Sequence, residues 1–181
     1  MFNYWTEGGF IAWAQEPDPN TGRTPLQLFM DGRAQAAYEP EAYEIWRGMM
    51  SGGPIVENAM VRKRQLTSAD YVKIGQMVSD KLREHNVWVV LMLMTDEQVS
   101  KGPFVRGLEH NPDWPVVFLN NKQKIFVDAT TPQGQELFNG IFNDKTLYPD
   151  DFSKNLVLAH NMLIFGKDEA LKKGGLEYAI N

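Results

Sequence analysis

Cysteine is absent from this 181-residue chain. Its absence excludes a disulfide scaffold, a thiolate metal site and cysteine catalysis. Histidine is scarce too, and the three histidines, His85, His110 and His160, stand far apart in the sequence. No His-x-x-x-His spacing occurs, so the sequence predicts no metal centre, and each histidine is better interpreted as a helix-end or packed residue.

Long apolar runs, a basic excess and phosphate-binding motifs are also missing. No run approaches the roughly 18 to 20 apolar residues that span a bilayer. The net charge of −5 and the pI near 5.2 argue against nucleic acid as a partner, because neutralising phosphates requires a basic face. The chain contains no Gly-x-Ser-x-Gly, Walker-type or Gly-x-Gly-x-x-Gly motif, so no cofactor is expected.

The composition that is present is typical of a folded domain, with 43% hydrophobic and 12% aromatic residues. Three segments carry strand signals. Leu26–Met30 is a short apolar run, and residues 87–94 form a continuous one that indicates a strand buried on both faces. Residues 114–129 predict two strands joined at Asn120-Asn121, because asparagine tolerates the left-handed angles of a tight turn.

Helix signals alternate with these strands. The predicted helix starts are Pro40, the capping-box pairs Thr67/Asp70 and Thr95/Gln98, and Thr131-Pro132. The helix opened by the second pair is expected to run toward Leu108, and the sequence "SGGP" at 51–54 is expected to end the helix that begins at Pro40. The alternation predicts an α/β fold with a layered, mostly parallel sheet, one antiparallel hairpin strand and flanking helices.

The predicted organisation is an α/β domain over residues 1–149 and a helical segment over residues 150–181. The apolar stripe of that segment and the stop at Gly166 suggest the start of a tetratricopeptide-like array. The chain begins in aromatic sequence and ends within a helical pattern, so we expect it to be a domain excised from a longer protein.

Polar residues follow two of the predicted strands and form the candidate site. Asp31-Gly32-Arg33 follows the first strand, and Thr95-Asp96 follows the second. Ligands of open α/β sheets bind outside the carboxyl ends of parallel strands. Gly32 would let a ligand approach the backbone, and Arg33 could bind a carboxylate or phosphate with two hydrogen bonds. These five residues are predicted to line a ligand or partner edge.

A structural interpretation competes with this one. Asp31 could cap its own turn, while Arg33 pairs with Asp31 or Glu39 at the surface. The pair Gly8-Gly9, which costs a helix about 1 kcal/mol per glycine, marks a second place where a ligand or a packed segment could approach the backbone closely.

Four segments, in order, carry a resemblance: "FNYWTEGGFIAW", "LQLFMDGRAQAAY", "NVWVVLMLM" and "GLEHNPDWPVVFLNNKQKIFV". They resemble a segment of bacterial polytopic membrane proteins related to dolichyl-phosphate-mannose-type and oligosaccharyl-type glycosyltransferases. In that family an Asn-x-x-x-Trp-Gly-Gly-Tyr-Leu segment follows the last membrane helix, and a strand ending in Asp-Gly-Arg comes next. Glu7 interrupts the first element, and Asn120 stands where the family has an aspartate.

The resemblance implies an extracytoplasmic domain of a membrane-attached parent protein. It also implies sugar-transfer chemistry in the membrane part, with a lipid-linked sugar as donor. The expected partners are the membrane portion of the parent chain and a sugar or lipid-linked sugar.

Three functions stay open at the level of sequence. The first is a non-catalytic binding or accessory module of such a glycosyltransferase-like protein. The second is a small hydrolase or transferase that uses Asp31 and Asp96, with Glu7 as a further carboxylate, around a cation or phosphate. The third is a structural spacer that holds a helical array away from the membrane.

Overall fold

The computed structural model describes residues 1–30, 40–143, 148–166 and 169–180. The helices and strands in these ranges are, in chain order, β1 (Phe2–Asn3), a 3₁₀ turn (Trp5–Glu7), α1 (Gly8–Ala14), α2 (Pro40–Ser51), α3 (Gly53–Val61), α4 (Ser68–Glu84), β2 (Val89–Leu93), α5 (Glu97–Ser100), α6 (Pro103–Glu109), β3 (Val116–Leu119), β4 (Gln123–Val127), α7 (Pro132–Phe142), α8 (Asp151–Phe165) and α9 (Glu169–Ile180). In the described part of the chain, no helix is long and apolar enough to cross a membrane.

The described strands form one mixed sheet in the order β1-β2-β4-β3. β1 runs parallel to β2, whereas β4 runs antiparallel to both β2 and β3. The α/β class is confirmed, but the prediction of a mostly parallel sheet is wrong. The apolar run of β2 indicates burial on both faces, and burial does not determine whether neighbouring strands run parallel or antiparallel.

The predicted first strand, Leu26–Met30, is not a strand. It lies beside Met1, whose carbonyl accepts from Phe29 N at 2.9 Å and whose amino group donates to the Gln27 carbonyl at 2.6 Å. The next contact is made by a side chain instead of the backbone, because Asn3 Nδ2 donates to the Met30 carbonyl at 2.7 Å. The backbone hydrogen bonds between residues 26–30 and the N-terminal segment therefore end at Met1. The short strand β1, and not Leu26–Met30, forms the edge of the sheet.

Two of the predicted helix starts are confirmed by their caps. Thr67 and Asp70 form a complete capping box at α4, and the Thr131 hydroxyl accepts from Gly134 N at α7. The box predicted at Thr95/Gln98 is wrong by one residue, because Asp96 is the N-cap of α5. This helix also ends at Ser100, and α6 begins separately at Pro103, since proline cannot donate the backbone hydrogen bond that would continue α5.

The hairpin of β3 and β4 is confirmed, although its turn differs from the prediction. The only non-glycine residues with positive φ among those described are Lys63 and Asn86, so Asn120 and Asn121 do not use the left-handed region. Asn120 Oδ1 instead accepts from Lys122 N at 2.9 Å and Gln123 N at 2.8 Å. In this turn the Asn120 side chain accepts hydrogen bonds in place of a backbone carbonyl.

Helix α8 covers the outer edge of β3. Asn161 is buried and makes two hydrogen bonds to one residue: its Oδ1 accepts from Val116 N at 3.2 Å and its Nδ2 donates to the Val116 carbonyl at 2.7 Å. The Tyr148 hydroxyl donates to the Val117 carbonyl at 2.8 Å. These contacts satisfy a strand edge that would otherwise be free to pair with another chain.

Candidate functional site

The parallel pair β1–β2 gives the predicted site its edge. Asn3 lies opposite Leu91 in the sheet register. The Asn3 side chain donates to the Met30 carbonyl, which places Met30 beside the end of β1. Residues 31 to 33, the Asp-Gly-Arg triplet, lie outside the described residues, as does Glu39. The structure thus fixes the residue before the triplet at the end of β1, and the ligand role of the triplet stays a prediction.

Thr95 and Asp96 are exposed beyond the end of β2. Asp96 Oδ1 accepts from Gln98 N at 2.8 Å, so the carboxylate caps α5. Such a cap stabilises a helix by about 1 kcal/mol. The one carboxylate of the predicted edge that the structure describes therefore has a structural task, and its contact with a ligand stays a prediction.

Asn3 belongs to the same edge and was missed at the level of sequence. The residue is fully buried, and its Oδ1 has no hydrogen-bond partner among the described residues. Leaving a buried amide oxygen unpaired costs about 1 to 3 kcal/mol. A polar residue between Phe2 and Tyr4 was the available signal, but the sequence did not show that this short segment enters the sheet.

The glycine pair lies at the start of α1, with Gly8 buried and Gly9 exposed. A Cβ atom on Gly9 would meet no other atom within 4 Å. The described chain itself therefore does not require glycine at this position, and the approach of a partner to the backbone stays a prediction.

An apolar groove lies between α2 and α4, and we call it the α2–α4 groove. It has a volume of about 830 Å³. Its lining residues are Glu41, Glu44, Ile45, Gly48, Met49, Gly53, Pro54, Lys73, Gln76, Met77, Asp80, Lys81 and Glu84. Grooves of this size with an apolar lining and a polar rim are the usual form of a ligand site.

A glycine turn shapes one end of the groove. Gly52 has φ +77° and Gly53 has φ +56°, and together they end α2 and begin α3. A Cβ atom on Gly53 would lie 3.2 Å from Met77 Sδ, so glycine lets the turn approach the α4 side chain closely. The predicted stop at "SGGP" is confirmed, and it also forms a wall of the groove.

The rim of the groove carries more negative than positive charge. Among the lining residues, four carboxylates (Glu41, Glu44, Asp80 and Glu84) oppose two ammonium groups (Lys73 and Lys81), which gives a rim charge of −2. Lys81 Nζ pairs with Glu84 Oε2 at 2.9 Å, and its hydrogen bond and charge lower the Glu84 pKa. A rim of this sign favours a neutral or cationic ligand over an anionic one.

A second cavity, of about 680 Å³, lies at the end of α6 and has Glu109, His110 and Phe138 among its lining residues. Glu109 Oε1 accepts from Lys124 Nζ at 2.5 Å, and both side chains are almost fully buried. His160 lies close enough to Lys124 and Glu109 for both charges to affect its pKa. Burial, followed by repulsion from Lys124, lowers its pKa to about 4, and its buried Nε2 has no hydrogen-bond partner among the residues that the structure describes. The charges of Lys124 and Glu109 compensate each other, and the neutral imidazole of His160 adds no charge to this pair.

Another buried carboxylate has a structural role. Asp128 follows β4 and has a fully buried side chain that accepts two hydrogen bonds from Arg83, at 2.7 and 2.9 Å. Burial alone would raise the Asp128 pKa, but hydrogen bonds from Arg83 and Thr130 lower it below its usual value. Arg83 also pairs with Asp113 at 2.9 Å. The cluster joins the end of α4 to the loop before β3 and the end of β4.

Within the described ranges, no group of three or more histidine or carboxylate side chains is placed to hold a metal ion. No known protein-family model, curated protein or solved structure matches this chain.

Proposed function

We propose that this chain is a non-catalytic binding module and that the α2–α4 groove is its binding surface. The observation that carries the proposal is the groove itself, which combines an apolar lining that includes Ile45, Met49 and Met77 with a charged rim. Two methionines in one lining suit a binding role, because the thioether side chain is flexible and adapts to different apolar partners.

The groove also indicates a class of ligand. Two helices flank it, and a channel between helices accepts an apolar chain segment such as one face of an amphipathic helix. The rim charge of −2 disfavours an anionic ligand. An apolar peptide segment fits both features, and it agrees with the expected partner, the membrane portion of a parent chain.

The wider role that we propose rests on the sequence resemblance. The module would serve as an accessory domain of a membrane-bound glycosyltransferase-like protein, attached on the extracytoplasmic face. Reading the open reading frame on both sides of residues 1–181 tests this role. Several spans of about 20 apolar residues before Met1 would support it. A start codon at Met1 together with a stop codon after Asn181 would contradict it.

A groove-filling substitution tests the binding surface directly. Gly48 lies in α2 at the groove, and a Cβ atom there would meet nothing within 4 Å. Gly48→Leu therefore starts from an unobstructed Cβ position and should occupy part of the groove. We expect the neutral apolar dye N-phenyl-1-naphthylamine to gain fluorescence with the wild-type chain and to lose most of that gain with this variant.

Gly9→Leu is the matched control. Gly9 is also an exposed helical glycine with no atom within 4 Å of its Cβ position, but it does not line the groove. The same side chain added there should leave dye binding at or above the wild-type level. An equal dye signal from wild type and Gly48→Leu would show that the dye binds elsewhere and would contradict the assignment of the groove.

A further inference from the structure

The C-terminal end of α3 presents two apolar side chains to solvent. Met60 is 71% exposed and Val61 is 84% exposed. Arg62, Lys63 and Arg64 follow them directly. We call residues 60–64 the α3 tip. An exposed apolar pair next to three consecutive basic residues stands out in a chain whose net charge is −5.

The charges at the tip are only partly compensated. Arg64 makes two hydrogen bonds to Asp70, at 2.6 and 2.9 Å, so its charge is neutralised within the fold. Arg62 and Lys63 are exposed, and neither has an ion-pair partner in the part of the chain that the structure describes. Glu57 is exposed one turn earlier on α3 and is the nearest acidic residue in the helix. Arg62 and Lys63 are therefore two cations beside the apolar pair that have no ion-pair partner among the described residues.

The backbone holds the tip in a defined shape. Arg62 N donates to the Asn58 carbonyl, Lys63 N to the Met60 carbonyl and Arg64 N to the Ala59 carbonyl, at 3.0 to 3.1 Å. Lys63 adopts φ +50°, a left-handed angle that is uncommon for a residue with a side chain. The loop is thus closed by its own hydrogen bonds, and the Arg64–Asp70 pair ties it to the start of α4.

We propose that the α3 tip docks the chain onto the surface of an anionic lipid bilayer. Insertion of Met60 and Val61 would remove apolar surface from water, while Arg62 and Lys63 would lie at the level of the anionic headgroups. The charge on the tip is opposite to that of such a surface, and the binding of an amphipathic segment to a membrane increases with the apolar area buried and with attraction to anionic lipids.

A second exposed apolar patch provides a contrast within the same chain. Phe10 is 65% and Trp13 is 82% exposed on α1, and their ring centroids lie 6.2 Å apart. The charged residues nearest to them in sequence are acidic, Glu7 and Glu16. This patch has apolar surface without cations, so it should contribute little to binding an anionic bilayer.

The experiment is vesicle flotation with the full chain. Vesicles are made either of phosphatidylcholine alone or of phosphatidylcholine mixed with phosphatidylglycerol. We expect binding to the mixed vesicles only, and weaker binding at high salt. Arg62→Ser/Lys63→Ser should lower the partition coefficient about 25-fold, because each basic residue near an anionic surface contributes roughly 5-fold. Met60→Ser/Val61→Ser should abolish flotation at the same lipid concentration.

Two further variants keep the test decisive. Lys63→Gly removes one charge at a left-handed position that glycine prefers, so it should stay folded and bind about 5-fold more weakly. Phe10→Ser/Trp13→Ser should bind like the wild type. Equal binding to both vesicle types, or undiminished binding by the tip variants, would overturn the proposal. Loss of binding in the Phe10→Ser/Trp13→Ser variant alone would assign lipid contact to α1 and would also overturn it.

This inference is independent of the binding groove. Gly48 lies in α2, away from the α3 tip in sequence and outside its set of residues. Gly48→Leu should therefore lose dye binding and still float with the mixed vesicles. Failure of one proposal would leave the result of the other unchanged.

Discussion

The same substitution at two helical glycines should change stability in opposite directions. Gly48 lies within α2 and Gly75 within α4, so replacing either by alanine gains the same helix propensity, about 0.5 to 1 kcal/mol. The surroundings of the new methyl group differ. At Gly48 it would meet nothing within 4 Å, whereas at Gly75 it would lie 2.3 Å from the carbonyl oxygen of Gly107 on α6.

The magnitudes follow from these distances. Gly48→Ala should stabilise the fold by about 0.5 to 1 kcal/mol, because nothing opposes the gain in propensity. At Gly75 the contact is more than 1 Å inside the ordinary van der Waals range of 3.4–4 Å, so α4 and α6 would have to separate. Overpacking of this kind costs about 1 to 3 kcal/mol or more, which exceeds the gain in propensity. We expect Gly75→Ala to lower the free energy of unfolding by about 2 kcal/mol.

Thermal unfolding followed by circular dichroism measures both changes. For a chain of this length, 1 kcal/mol corresponds to about 2 to 4 °C in Tm. Gly48→Ala should raise Tm by about 1 to 4 °C, and Gly75→Ala should lower it by about 4 to 8 °C. Urea unfolding with an unchanged m-value would show that the denatured state is not responsible.

Gly107→Ala gives an independent check of the same contact from α6. Its Cβ atom would lie 2.8 Å from Ile74 Cγ2 and 3.0 Å from Gly75 N, so this variant should also be destabilised. If Gly75→Ala and Gly48→Ala had equal Tm values, the close crossing of α4 and α6 would be refuted. If Gly48→Ala were destabilising, the open space described at α2 would be wrong.

Two further predictions concern buried titratable groups. Burial lowers the His160 pKa from 6.5 to about 4, so between these pH values the folded chain binds fewer protons than the unfolded chain. This histidine therefore leaves the free energy of unfolding unchanged above pH 6.5 and lowers it as the pH drops toward 4. His160→Gln should remove this part of the acid sensitivity in urea unfolding measured across the range, and a parallel pH profile in both proteins would contradict the prediction. Arg83→Ala should destabilise by about 3 kcal/mol at neutral pH, because it leaves the buried Asp128 carboxylate with Thr130 as its remaining side-chain donor. Since the folded Asp128 pKa is depressed, that difference should shrink as the pH falls below about 3.9, and a difference that persists in acid would count against the ion pair.

Local signals in the sequence predicted local structure well. The capping box of Thr67 and Asp70, the N-cap of Thr131 and the glycine stop at 52–53 each depend on residues within one helical turn, and each is present. The cap of α5 was misplaced by one residue because Thr95 and Asp96 can both accept a backbone hydrogen bond, and the chain direction after β2 selects the second. Which of two neighbouring residues caps a helix therefore depends on the direction of the strand before it.

The candidate site was predicted less completely. The sequence predicted a polar edge after the strands expected at Leu26–Met30 and 87–94, but Leu26–Met30 is not a strand, and the buried Asn3 of β1 was overlooked. A two-residue strand leaves no periodic pattern to recognise. Its assignment depends on pairing with β2, whose sequence position is almost 90 residues away.

The sequence by itself determined where α2, α4 and α7 begin and that residues 114–129 contain a hairpin, because apolar periodicity and capping act over a few neighbouring residues. Only the tertiary structure decided that β2 pairs antiparallel with β4, that Gly48 and Met77 share one groove, and that Arg62 and Lys63 have no ion-pair partner in the described part of the chain. Each of these facts concerns residues distant in the chain. Burial can be satisfied by many such arrangements, and the packing of the whole fold selects one of them.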